Sequence, residues 1–459
     1  MAGWLLDRLR EFGDQPAMIG HGGSSTYGAL VAETERWQAQ IAQLGIAPGE
    51  CVAIVGEYSP CTASLVLALI LNRNVLVPLS NDSAARHERS FEIARVDAVL
   101  HVSEDGSHHF ERRTAADRHD LIEQLRAAGE PGLILFTSGS TGESKGTLLS
   151  FARLLERFEK RRKSFRTLIF MKLDHIGGIN TLFHILCDGG ALVSIAERTP
   201  RAVCEAIAAH QVQLLPTTPT FLNMLLISGV YKEYDLASLE LISYGTEPMP
   251  ESTLKSLNRT FPGVKLKQTY GLSELGILQT QSRDSSSLWV KVGGEGYETK
   301  IVDGILWIRA RYAMLGYLNA PSPFDADGWF NTGDAVDVDG EWLRIRGRLS
   351  EIINVGGEKV HPAEVESVLL RLPNIREVTV WGKPNAVMGH IVVATVSLIE
   401  PEDRFEIMDR VQSFCRDKLE PYKVPMMIEV DEDDHHNARF KKIRSKAAKR
   451  VREAPLDRN

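Results

Sequence analysis

The sequence predicts a two-part α/β protein, a large doubly wound region followed by a smaller α+β unit. Three observations carry this. At 459 residues, the chain is too long for one ordinary core. Strand-like and helix-like stretches alternate through its first part, and that rhythm changes after about Gly293 and again near Leu349–Ser350. The boundary is accordingly placed to give units 1–349 and 350–459.

Taken in order, residues 1–14 (MAGWLLDRLREFGD) read as a short amphipathic helix without the apolar core of a signal peptide. Residues 50–56 (ECVAIVG) form a β-branched run, 60–71 an apolar helix, and 75–79 and 97–102 two further buried strands. The same rhythm returns at 167–170, 191–195, 213–216 and 240–243, which implies a largely parallel sheet covered by helices. Beyond Gly293 come short strands, with the pairs Asp303-Gly304 and Asp339-Gly340 marking hairpins. The last unit reads as a helix from near Pro362, strands at 377–382 and 391–398, and a helix at 404–419. An acidic stretch (VDEDDHH) then precedes a strongly basic tail.

Composition narrows the function classes. Hydrophobic residues make up 43% and charged residues 25%, the balance of a soluble globular protein. A net charge of −7 gives no overall attraction to nucleic acid or an anionic membrane. The longest apolar run, 65–71, is far too short to span a bilayer. Five dispersed cysteines (51, 61, 187, 204 and 415) lack CxxC spacing, arguing for reduced thiols in a cytoplasmic setting and against a zinc site.

The chemistry concentrates at residues 137–146, TSGSTGESKG, directly after the apolar run 133–136. Glycines let backbone N–H groups turn toward an anion, hydroxyls add donors, and Lys145 adds a full positive charge. This is a cradle for polyphosphate. It differs from the GxxxxGK[ST] loop, because the lysine precedes the last glycine and no Ser or Thr follows.

That string resembles the phosphate-loop signature of the acyl-adenylate-forming superfamily: acyl- and aryl-CoA synthetases, adenylation domains of peptide synthetases, and luciferases. The resemblance continues in register to Ser445 and is closest in motif form to the CoA ligases. It implies a large N-terminal domain of doubly wound sheets with a small β-barrel-like portion, then a small mobile α+β C-terminal lid. It also implies that Thr137, Ser138, Gly139, Ser140, Thr141, Gly142 and Lys145 hold the phosphates of ATP.

Tyr270-Gly271-Leu272-Ser273-Glu274 resembles the family's YGxTE element. The match implies adenine stacking by Tyr270, cofactor contact at Gly271, Ser273 in place of the usual threonine near the phosphates, and Mg²⁺ held by Glu274, a hard oxygen ligand for a hard cation. Tyr244-Gly245-Thr246 falls where the family has a small-residue turn against adenine, with Tyr244 a departure that reshapes the pocket. Asp334 of Thr332-Gly333-Asp334 is implied as the ribose ligand, since a carboxylate accepts two O–H bonds. Arg348 is implied at ribose or phosphate, with Ser350 at the hinge, where the family carries Asp or Lys. Gly356-Gly357 matches the loop that lines the thiol tunnel in CoA ligases. Lys442 falls on the catalytic lysine, although Lys441 replaces the preceding glycine and Ser445 the usual arginine. A solvated basic tail is the competing reading of that last segment.

Residues 172–178 (KLDHIGG) resemble the acyl-pocket element, with His175 as the gate. Ile176 stands where amino-acid-activating domains place an aspartate against the substrate ammonium. An unpaired buried ammonium is costly, so an aryl or aliphatic acid is expected, with Pro219, Thr220, Phe221, Gly276 and Ile277 giving a largely apolar wall. The resemblance implies acyl-AMP formation with pyrophosphate release, then acyl transfer to CoA. Loading of a carrier protein's phosphopantetheine is the alternative within the enzymes. A luciferase-type oxygenation is left open by the motifs, and a non-catalytic nucleotide-binding relative is the alternative of another class.

Overall fold

The computed structural model describes residues 3–80, 84–113, 117–138, 144–431, 435, 436 and 442. Two seven-stranded sheets form most of the first 320 residues. In the first, strands Lys265–Gln268, Leu241–Tyr244, Leu214–Thr217, Arg166–Leu168, Ala191–Ser194 and Pro16–Gly20 run parallel, with Ser25–Thr26 antiparallel at one edge. In the second, Gly132–Ser138, Val75–Leu79, Cys51–Val55 and Ala98–Val102 are parallel, and antiparallel strands flank them on both sides.

The core between these sheets follows from sequence. Helix Pro60–Leu71 is apolar on all sides, with nine buried residues, so it must lie between layers and not on a surface. It and helix Ile176–Cys187 share one core with Met18 and Leu192 of the first sheet and with Ile54, Leu76 and Leu135 of the second. Three helices begin with a hydroxyl residue followed by proline: Ser59-Pro60, Thr199-Pro200 and Thr218-Pro219. In each, the hydroxyl accepts from the backbone N–H three residues on, and proline's fixed φ suits the first helical turn. Leu5, Leu6 and Leu9 of helix Gly3–Arg10 are buried in the same core.

The change of rhythm after Gly293 corresponds to a six-stranded antiparallel sheet, ordered Gln279–Ser282, Val290–Gly293, Trp342–Arg348, Phe330–Asp339, Ile305–Ala310 and Tyr297–Val302. Both expected hairpins form. Val302 pairs with Ile305 across Asp303 and Gly304, both at positive φ (50° and 75°), as a type I′ turn requires. In the other, Asp339 pairs with Trp342, so the turn residues are Gly340 and Glu341 and the register is one residue later than the Asp-Gly pair suggests. Gly340 takes the positive φ of 59°.

The last unit has its own sheet, in which Glu358–Val360, Ile353–Val355, Gly389–Leu398 and Ile375–Asn385 are antiparallel and Met427–Val430 adds a parallel strand. Helices Pro362–Leu369 and Arg404–Cys415 complete a separate core that includes Val365, Leu369, Val380, Val396 and Val411. The five cysteines are free thiols. Among the described residues no helix is long and apolar enough to cross a membrane.

One glycine tests the packing at the start of helix Ile176–Cys187. A Cβ on Gly178 would lie 1.9 Å from the Lys172 carbonyl oxygen and 2.9 Å from the Tyr58 hydroxyl. Gly178→Ala is expected to destabilise the protein by about 1–3 kcal/mol, the range for forced overpacking. Urea denaturation followed by circular dichroism checks it through a lowered midpoint.

Candidate active site

The site lies at the carboxyl ends of the first sheet's strands, where open α/β sheets place their ligands. Strand Leu241–Tyr244 leads into the turn Gly245-Thr246. Gly245 is required there, because a Cβ would meet the Thr269 hydroxyl at 2.5 Å. Thr246 sits at φ 72°, a strained conformation for a β-branched residue. Next to this turn, Tyr270-Gly271 passes into a tight hairpin of Gly271–Leu272 and Gly276–Ile277. A helix start at Ser273-Glu274 is the ordinary local reading of YGLSE; the chain turns back instead. Gly271 permits the close approach, since a Cβ would meet the Ile277 side chain at 2.5 Å.

Long-range pairing brings in the remaining groups. Asp334 and Arg348 are cross-strand partners on Phe330–Asp339 and Trp342–Arg348, with Arg348 Nε 3.5 Å from Asp334 Oδ1. The Tyr270 hydroxyl donates to Asp334 Oδ2 at 2.5 Å. Burial, then the Asp334 charge, pushes the Tyr270 phenol well above its usual range, so it remains a neutral donor. Thr246, Glu247, Tyr270, Gly271, Asp334, Arg348 and Lys442 all line one cleft, partly open to solvent.

Lys442 joins this cleft to a second groove between the large and small units. Its ammonium donates to Glu366 Oε2 at 2.8 Å and to the Val378 carbonyl at 3.1 Å, so it faces the small unit. Its backbone N–H donates to Glu247 Oε2 at 3.3 Å. Glu247 also accepts from the Thr220 N–H at 2.7 Å, at the start of helix Pro219–Ser228, where a carboxylate is favoured. Glu247 and Glu366 escaped the sequence reading. Both look like ordinary surface glutamates until packing places them against Lys442.

Strands Gly132–Ser138 and Ser144–Ser150, which carry the two ends of the expected phosphate loop, are antiparallel neighbours, with Thr137 paired to Lys145 and Ser138 to Ser144. The expectations for Gly139, Ser140, Thr141 and Gly142 lie outside the described residues. Lys145 Nζ stands 5.0 Å from the ring centroid of Tyr317, whose hydroxyl donates to Glu274 Oε1 at 2.7 Å. Tyr317 was not singled out from sequence, because its partners lie far from it along the chain. Among the described residues no group of three or more His, Cys, Asp or Glu could enclose a metal. A lone Glu274 carboxylate fits Mg²⁺, which takes one or two carboxylates alongside substrate phosphates and water.

Two expectations change. Tyr244 is 1% exposed and packed in the core of the first sheet, so it does not line the cleft. Its strand position points it inward, and the cleft wall is supplied by Thr246, Glu247 and Pro248 instead. Phe221 is likewise core, its ring 4.7 Å from that of Phe170, and gives no open wall. Gly356 and Gly357 form the turn of the hairpin Ile353–Val355 and Glu358–Val360, at φ 61° and 95°, and are not among the cleft residues. Their turn packs on the small unit, where the Gly356 N–H donates to the Met388 carbonyl.

His175 is half-buried and caps helix Ile176–Cys187, its Nδ1 accepting from the Gly177 N–H at 2.9 Å. It does not line the cleft that holds Tyr270 and Asp334. Asp174 gains a role that the sequence did not suggest: it accepts from the Ser80 hydroxyl at 2.8 Å, tying this loop to the second sheet. Ile176 is 3% exposed, part of the central core.

With the geometry in place, comparison supplies the class. The AMP-binding enzyme family model matches residues 5–318, and the AMP-binding enzyme C-terminal domain matches 364–441. The chain therefore belongs to the AMP-binding enzyme family. It is 27% identical to an indoleacetate–CoA ligase of Aromatoleum aromaticum, over 87% of this chain and 88% of that one. It is 25% identical to a 2-succinylbenzoate–CoA ligase of Bacillus subtilis, over 96% of each. An anthranilate CoA ligase solved with anthranoyl-AMP shares the fold, with a TM-score of 0.83 at 20% identity over 97% and 96% of the two chains.

The groove beside Lys442 supports a pH prediction. His435 is buried, with Nδ1 3.2 Å from the Thr379 hydroxyl and Nε2 3.1 Å from that of Ser397. Burial lowers its pKa, and Lys442 and Arg376 act in the same direction, against Glu377 and Asp431. A histidine with a lowered folded pKa stabilises the fold above its unfolded value, about 6.5. That contribution fades as pH falls below 6.5. Glu377 beside it is also lowered and weakens the fold in the same direction at more acid pH. His435→Gln is expected to flatten the fall in thermal midpoint between about pH 6.5 and 5, measured by calorimetry across pH.

Proposed function

We propose that this enzyme activates a carboxylic acid with ATP to give an acyl-adenylate and pyrophosphate, and then transfers the acyl group to the thiol of CoA. The observation that carries this reading is the single cleft in which Thr246, Tyr270, Asp334, Arg348 and Lys442 converge from separate parts of the chain. The acid is read as aryl or aliphatic, because Ile176 offers no partner for a substrate ammonium. Names among the relatives point the same way, being ligases of indoleacetate and 2-succinylbenzoate.

In the first step a carboxylate oxygen attacks the α-phosphorus, forming an O–P bond as the bond to pyrophosphate breaks. The carboxylate is already ionised at neutral pH, so no general base is needed, and positioning with charge neutralisation dominates. Asp334 accepts the ribose hydroxyls, Arg348 lies beside them, and Gly245-Thr246 faces adenine with Tyr270. Thr137, Ser138 and Lys145 hold the phosphates with the rest of the loop. Glu274 would hold Mg²⁺, which supplies charge neutralisation at the phosphates when bound. The Lys442 ammonium turns from Glu366 toward the attacking carboxylate.

In the second step the thiol sulfur attacks the acyl carbon, the bond to AMP oxygen breaks, and the thiol proton is lost. We read 1–349 and 350–459 as domains that swing about Ser350, withdrawing Lys442 and bringing Gly356-Gly357 to the site. Ser350 is exposed, in the single 3₁₀ turn Leu349–Glu351, where a change of φ and ψ meets little packing. A carrier-protein phosphopantetheine is the alternative acceptor, and product analysis with CoA against carrier protein separates the two.

ATP–pyrophosphate exchange screened across aryl, short, medium and long aliphatic acids and amino acids tests the first step. Exchange with an aryl or aliphatic acid is expected, falling about a few hundredfold in Lys442→Ala, as for loss of one preorganised charge. Exchange with amino acids alone would overturn the reading of Ile176. Ser350→Pro fixes φ at this turn and so restricts the swing. It is expected to retain exchange while slowing thioester formation at least about tenfold, measured by separate assay of the two half-reactions.

A further inference from the structure

The segment from Met314 to Asn319 ties the phosphate loop to the Glu274 hairpin, and no motif reading assigned it a role. Its backbone contacts both partners. The Met314 N–H donates to the Glu274 carbonyl at 2.7 Å, Leu315 N–H to the Leu148 carbonyl at 2.8 Å, and Leu318 N–H to the Gly146 carbonyl at 2.8 Å. Gly316 and Tyr317 pair with Leu148 and Thr147 on the strand that leaves the loop. Asn319 closes the arrangement with both ends of its amide. Its Oδ1 accepts from the Gly146 N–H at 3.0 Å, and its Nδ2 donates to the Ser144 carbonyl at 2.9 Å.

The side chain of Tyr317 spans the two charges that matter most. Its ring face receives Lys145 Nζ at 5.0 Å, and its hydroxyl donates to Glu274 Oε1 at 2.7 Å. Tyr317 is only 9% exposed, so its rotamer is set by packing. A neutral phenol donating to one carboxylate oxygen fixes the plane of that carboxylate and leaves the other oxygen to a cation. Outer hydrogen bonds of this type orient metal-binding carboxylates. The ring holds the ammonium by cation–π attraction without removing its charge.

We propose that Tyr317 is a positioning residue that orients Glu274 for a divalent cation and holds Lys145 beside it, with Asn319 anchoring the loop's exit strand. The inference rests on the proposed reading of Glu274 as the metal carboxylate.

Calorimetric titration of the full-length protein with ATP, once in Mg²⁺ and once in EDTA, separates the metal-dependent part of affinity from the rest. Tyr317→Phe keeps the ring and loses the hydroxyl. It is expected to reduce the Mg²⁺-dependent tightening about tenfold, the usual cost of an outer-sphere partner, with affinity in EDTA unchanged. In a Glu274→Gln background the same change is expected to add nothing, since its effect passes through that carboxylate. Undiminished tightening in Tyr317→Phe, or an equal loss in Mg²⁺ and EDTA, would overturn the proposal. Full tightening in Glu274→Gln alone would instead overturn the reading of Glu274. Asn319→Ala gives a second test that leaves both side chains intact: weaker ATP binding in both buffers is expected, and unchanged binding in both counts against the strap.

Discussion

Asp334 is a buried carboxylate at 7% exposure, and a charge so placed must be compensated by nearby donors. Its compensation organises the site. One oxygen takes the Tyr270 hydroxyl, the other lies near Arg348, and its own N–H donates to Thr332 Oγ1 at 3.0 Å. Tyr270 comes from the end of the first sheet, whereas Asp334 and Arg348 come from the antiparallel sheet that follows. One carboxylate thus fixes two layers relative to each other. Arg348 is also the last residue of strand Trp342–Arg348, directly before the 3₁₀ turn Leu349–Glu351.

From that point the small unit folds back on the cleft through polar contacts at its border. Arg346 reaches Glu364, which also pairs with Lys423; the Glu251 N–H donates to the Ser367 hydroxyl; and Asn223 donates to the Arg376 carbonyl. Such contacts trade readily for water and suit an interface that opens, unlike the apolar cores within each unit. Lys442 stands at the centre of this border. Its ammonium rests on Glu366, which is 2% exposed, and its main chain rests on Glu247 of the large unit.

The sequence was legible wherever local chemistry decides the outcome. The helix Pro60–Leu71 and strand Val75–Leu79 fall where apolar pattern and proline placed them, and the Asp303-Gly304 turn could scarcely be anything else. Asp334 was legible as a cleft residue because a carboxylate suits one chemical task. Local reasoning failed where a contact from far along the chain outweighs local preference. Ser273-Glu274 looks like a helix start, yet the strand Gly276–Ile277 pairs back on Gly271–Leu272. Tyr244 appears beside a pocket turn in sequence, but strand alternation turns its ring into the core.

By itself, then, the sequence determined the layered α/β architecture, the two units and several of the residues that line the cleft, among them Thr246, Tyr270, Asp334 and Arg348. These depend on periodicity, turn chemistry and functional groups that act over a few positions. Tertiary structure alone decided the partners: Tyr270 and Arg348 on Asp334, Glu366 and Glu247 on Lys442, and Tyr317 between Lys145 and Glu274. Each joins residues on separate elements. Direction and distance between such groups are set by sheet register and core packing, which no local stretch of sequence encodes.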